Sequence, residues 1–117
     1  MNVREEVERA ISECLHDNGI ALESCSYGVF SCNDFRAEGP GVYVFFDDKN
    51  VYYVGESNDL KRRVLKEHCG AQIGGSEGVV RFLMYFLGEI CEKKEEWLNL
   101  DAKGREELVR GILRERI

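Results

Sequence analysis

Apolar residues recur along this chain with two different periods, and each change of period marks an element. From Arg4 to Leu15 the apolar positions are Val7, Ala10, Ile11, Cys14 and Leu15. Spacings of three and four predict an amphipathic helix. Asp17-Asn18-Gly19 supplies residues that tolerate the left-handed conformation at its end. Residues 20–38 show no steady period. Within them Tyr27 to Phe30 could form a short strand, and Ser31-Cys32-Asn33-Asp34 reads as a turn.

Gly39-Pro40-Gly41 breaks the chain before Val42-Tyr43-Val44-Phe45-Phe46, a run of β-branched and aromatic residues that predicts a strand. After the polar turn Asp47-Asp48-Lys49-Asn50, Val51-Tyr52-Tyr53-Val54 predicts a second strand ending at Gly55. So short a connection makes the pair antiparallel. A symmetric four-residue loop pairs Phe46 with Val51 and puts Tyr43 and Tyr53 on opposite faces. A bulge, or a loop one residue longer or shorter, puts them on the same face. The sequence leaves both open.

Helical periods return after Gly55. Ser57 or Asn58 is placed to cap a helix running to about His68, with Asp59 in its first turn. Leu60, Arg63, Val64 and Glu67 share one face of it. Gly70 and Gly74-Gly75 break the chain again, the pair reading as a flexible turn more than an anion site. Ser76 then caps a helix whose expected inward stripe is Val79, Val80, Leu83, Met84 and Leu87, with a strand as the alternative for this β-branched and aromatic run. A last helix covers about Ala102 to Arg116, burying Leu108, Val109, Ile112 and Leu113. The expected architecture is α+β, a small antiparallel sheet on the 41–55 hairpin flanked by helices. It reads as one domain over 1–117: an N-terminal helix and extension (1–38), a core (39–90) and a C-terminal helical segment (91–117).

The 117 residues suffice for one core. No stretch approaches the roughly 18–20 apolar residues of a membrane helix, and MNVREEVERA lacks a signal-like apolar region. The expectation is a cytoplasmic protein with no membrane partner. Five cysteines at irregular spacing suggest reduced, mostly buried thiols rather than a zinc site or a disulfide scaffold. The net charge of −6 opposes a nucleic-acid partner in general. Its distribution softens this, because Lys61 to Lys66 carries four bases and no acid.

Arg63 shares a stripe with Leu60 and Val64, so it points toward the sheet. A guanidinium there needs an anion: a phosphate, or more simply a carboxylate such as Glu67 or Glu56. Tyr43 and Tyr53 read on pattern alone as core aromatics with a hydroxyl at the rim. His68 reads as a residue at a helix C-terminus.

Taken in order, Gly41-Val42-Tyr43, Tyr53-Val54-Gly55, Asn58 to Arg63 and His68 resemble the signature of the GIY-YIG nucleases. The resemblance spans about residues 39–70. It implies a three-stranded antiparallel sheet flanked by helices, and hydrolysis of a nucleic-acid phosphodiester, DNA foremost, with Mg2+ or Mn2+. It assigns Tyr43 to activating or orienting the attacking water, Tyr53 to positioning, and Arg63 to stabilising charge on the phosphate. Base action by a phenol of pKa ~10 calls for a nearby cation. His68 matches the family histidine but stands five residues after Arg63 where four is common, a rotation of about 100° on an α-helix. Lys61, Arg62 and Lys66 are expected to meet substrate phosphates.

Two features depart from the family. No third strand is evident after Gly88. The family's metal-binding glutamate on a late helix is commonly followed by apolar residues at +3 and +4, and Glu95, Glu106 and Glu107 all fail that pattern. The metal ligand is therefore unassigned. Three functions compete: a metal-dependent endonuclease, a nucleic-acid-binding or regulatory module that has lost the metal site, and a protein-interaction domain with coincidental motifs. The oligomeric state is open.

Overall fold

The computed structural model describes residues 2–74 and 77–117, with Leu22 described by its backbone only. In chain order come helix α1 (Val3–Asp17), a short 3-10 turn (Leu22–Ser24), strands β1 (Gly41–Phe46) and β2 (Val51–Ser57), a π-helix (Lys61–His68), and helices α2 (Glu77–Glu92), α3 (Lys94–Leu98) and α4 (Ala102–Arg116). The expected α+β architecture is present. Its sheet has two strands among the described residues, not the three the resemblance implied. The segment Tyr27 to Phe30 forms no strand. The expected turn does form, with the Ser31 N–H donating to the Asp34 carboxylate at 2.7 Å.

The hairpin resolves the open question of register. Phe46 pairs with Val51, but Phe45 pairs with Tyr53 and Tyr43 with Gly55. Tyr52 is the extra residue of a bulge. Because side chains alternate across a strand, the bulge swings Tyr53 onto the face of Tyr43 and Phe45. Tyr52 turns instead toward α2, where its ring packs 4.6 Å from that of Tyr85, and its hydroxyl hydrogen-bonds Asp47.

The helix after β2 is π rather than α. The Cys69 N–H reaches the Val64 carbonyl at 2.8 Å, and the Gln72 N–H reaches Glu67 at 3.0 Å, both across five residues. The capping side chain is Asp59, which accepts from the Arg62 N–H at 3.1 Å, rather than Ser57 or Asn58. At the far end Ala71 takes a left-handed backbone (φ 52°). Arg110 of α4 secures this turn by donating to the carbonyls of Gly70 and Ala71, each at 3.1 Å.

The core is one cluster, Ala71, Val79, Phe82 and Leu113, against which Phe45, Tyr53, Phe86, Val109 and others pack. Three elements on the hairpin's inner side thus meet around Phe82. Of the expected stripe of α2, Val79 is buried and Leu83 packs on the core, but Val80, Met84 and Leu87 are exposed and Phe82, Phe86 and Ile90 turn inward instead. The expected stripe was rotated because every residue from Val79 to Leu87 but Arg81 is apolar or aromatic, so the pattern selects no unique face. The Ser76 cap and Gly75 lie outside the described residues. Short helix α3 joins α4 through Arg105, whose guanidinium lies 3.9 Å over the Trp97 ring.

Helix α1 forms where expected, one residue longer at its start and two at its end, with Asn2 capping its start and Gly19 at φ +75° beyond its end. None of its residues is buried. The radius of gyration is 16.4 Å, against about 13 Å for a compact chain of this length. A cavity of about 430 Å³ separates α1 and residues 26–37 from β1. Bridging this gap is a disulfide, Cys32–Cys69, with Cα atoms 5.7 Å apart. The expectation of five reduced, mostly buried thiols is thereby corrected: Cys14 and Cys91 are exposed and Cys25 is half-buried. Partners 37 residues apart are brought together by the fold, and spacing could not reveal them.

Candidate active site

Tyr43, Tyr53 and His68 converge on one side of the sheet. The Tyr43 hydroxyl lies 2.7 Å from His68 Nε2. The ring centroids of Tyr43 and Tyr53 are 6.1 Å apart, and that of His68 lies 5.3 Å from Tyr43 and 5.6 Å from Tyr53. His68 is 1% exposed, walled by Phe45 at 5.6 Å and Phe82 at 6.1 Å. It is a buried pocket residue, not the exposed helix-end histidine that the residue pattern suggests.

Two glycines make this arrangement possible. A Cβ on Gly55 would collide with the phenol end of Tyr43, and one on Gly78 would lie 2.7–3.1 Å from three atoms of the His68 ring. Gly55 thus lets Tyr43 lie across β2, and Gly78 lets the imidazole press against α2. In the sequence Gly55 reads as a strand terminus and Gly78 carries no signal.

The π-helix resolves the spacing departure. Each of its turns takes up more residues than the 3.6 of an α-helix. The extra residue between Arg63 and His68 is absorbed in the wide turn, and the Arg63 charge still reaches the His68 ring. Arg63 Nε lies 3.0 Å from Glu67 Oε2. Its charge also reaches the ring pair, lowering the proton affinity of both Tyr43 and His68. The carboxylate partner expected from the residue pattern is therefore present in Glu67.

Burial dominates the electrostatics. It pushes the Tyr43 phenol up to about 12, helped by Tyr53 and opposed by Arg63. It pulls His68 down to about 4, with Arg63 adding to the effect and Glu67 opposing it. At neutral pH the pair is a neutral imidazole beside an intact phenol, sharing a proton between the two heteroatoms. Lys61, Arg62 and Lys66 lie on the exposed side of the π-helix, and Lys61 reaches Glu38 at 4.0 Å.

The donor set does not fit a divalent cation. No three His, Cys, Asp or Glu side chains cluster among the described residues. The buried apolar pair of α4 is Ile112 and Leu113. Val109 packs on the core with them, so this stripe of α4 is apolar. The cleft's own carboxylate, Glu67, faces Arg63.

A sequence model of the GIY-YIG catalytic domain matches residues 39–104, more than half of the chain. The chain belongs to the GIY-YIG family, whose members are nucleases acting on nucleic acid. No curated protein and no solved structure matches it. No described helix is long and apolar enough to cross a membrane.

Proposed function

We propose that this protein hydrolyses nucleic-acid phosphodiesters, DNA foremost, with Tyr43, His68, Arg63 and Tyr53 as its working residues. The observation that carries this reading is the 2.7 Å contact between Tyr43 and the buried His68, beside an arginine whose charge reaches both. A phosphodiester held by the Arg63 guanidinium places its phosphorus near the Tyr43 hydroxyl. As a water attacks, its proton passes to the phenol oxygen while the phenol proton passes to His68 Nε2. The anion on Arg63 offsets part of the positive charge that depresses His68, raising its basicity when substrate is present. Arg63 then stabilises the charge that builds on the phosphoryl oxygens. Tyr53 fixes the ring pair from the β2 side, and Lys61, Arg62 and Lys66 attract flanking phosphates.

The test is cleavage of labelled DNA and RNA with Mg2+, with Mn2+ and in chelator, comparing the wild type with Arg63→Ala. Cutting that vanishes in a folded Arg63→Ala protein supports the reading. A second reading rests on the lack of a carboxylate cluster among the described residues: a module that holds phosphodiesters without cutting. Salt-sensitive DNA binding with no cleavage under any metal condition would favour it.

A further inference from the structure

Four Arg–Glu pairs at i,i+4 spacing occur among the described residues, and one is unlike the rest. In Arg4–Glu8, Arg9–Glu13 and Glu77–Arg81 the side chains are 40–71% exposed. Such pairs bind weakly in water and decorate a solvated helix face. Arg63 and Glu67 are 34% and 26% exposed, and the two atoms that meet, Nε and Oε2, are fully buried with no aligned hydrogen bond to any group. Burying two charged atoms in an imperfect contact is a poor way to stabilise a helix. It is a good way to orient a fork.

We infer that Glu67 is a positioning residue, which holds Arg63 by its Nε so that the two terminal guanidinium nitrogens face a phosphate beside Tyr43. The role rests on the proposed function, and the geometry explains its form. A carboxylate gripping the outer nitrogens would compete with the phosphate for the same donors. Contact at Nε leaves that edge free while the charge pair keeps the group beside the carboxylate. The π-helix keeps the Arg63–Glu67 pair within electrostatic reach of His68. Glu67 also acts on the ring pair, raising the proton affinity of Tyr43 and of His68 against the pull of Arg63.

The test uses the full chain with Glu67→Gln and Glu67→Asp. Three quantities are read: DNA affinity, kcat and KM for cleavage, and the titration midpoints of Tyr43 by tyrosinate absorbance and of His68 by NMR. Thermal unfolding checks the fold. Expected for Glu67→Gln is a folded protein whose kcat falls about 10- to 100-fold, the scale of a misplaced catalytic group. Both midpoints should move downward, and Glu67→Asp should recover part of the loss. A merely structural pair would lower the melting temperature and leave the midpoints where they are. Wild-type kcat and affinity in Glu67→Gln overturn the inference. A wild type that neither binds nor cuts overturns the functional reading, and the positioning role with it. Wild-type cleavage with unshifted midpoints in Glu67→Gln removes the positioning role alone.

Discussion

The first 38 residues and the rest of the chain contain equally regular helices, yet they are held in different ways. In the body, β1, β2, the π-helix, α2 and α4 close around Phe82 and Leu113, which are 2% and 0% exposed. In the arm, α1 shows an apolar stripe of the same period and buries none of it, leaving Ile11 37% exposed. The body is tied by packing. The arm is tied to it by one covalent bridge, with a cavity between. An amphipathic period is evidence that a helix forms and says nothing of whether its stripe finds a partner.

Deleting the ring at the centre of the body should have the largest effect. Phe82→Ala should cost about 3–5 kcal/mol in denaturant unfolding, while losses of that size should be absent anywhere in α1. Acid should come next, because His68 sits at about 4 in the fold against 6.5 free. Between those values the unfolded chain binds a proton that the folded chain refuses. The His68 contribution to stability should therefore fall as pH drops from 6.5 toward 4, by up to about 3 kcal/mol, and level off below 4. Unfolding of the wild type and of His68→Gln across that range measures the difference, and parallel curves would remove His68 as the cause.

Breaking the bridge should separate the two regions. Reduction with a dithiol, or Cys32→Ser, should cost about 2 kcal/mol. Amide exchange should quicken over residues 3–38 and stay slow around Phe82 and Leu113. Uniform loosening of both regions would show that the arm is integral to the body. Smallest of all, Ile11→Ala should change stability by no more than about 0.5 kcal/mol. A cost near 2 kcal/mol would mean that α1 packs more tightly than its exposure indicates.

Most of the fold was legible because most of it is local. The hairpin, α1, the limits of α4, and the turn at Ser31 to Asp34 follow from period, propensity and capping. The site was legible as a set of residue types. Its geometry was not, because three features that build it are non-local. The bulge at Tyr52 decides whether two phenols share a face, and alternation alone allowed either answer. The room at Gly78 exists only because the fold lays α2 on His68. The Cys32–Cys69 pairing is set by where the arm crosses the body. The stripe of α2 was misread for the opposite reason, an excess of apolar residues on every face.

The wide turn between Arg63 and His68 makes this segment asymmetric toward change in length. It already carries one residue more than an α-helix would need to keep these two side chains within electrostatic reach of each other. Removing one residue, such as Leu65, has a ready destination: the turn tightens to ordinary α geometry and both ends stay where they are. Adding one has none, because the slack has been spent, and the imidazole would be carried off its phenol. Relatives of this chain should accordingly come in shorter forms across this segment and not in longer ones.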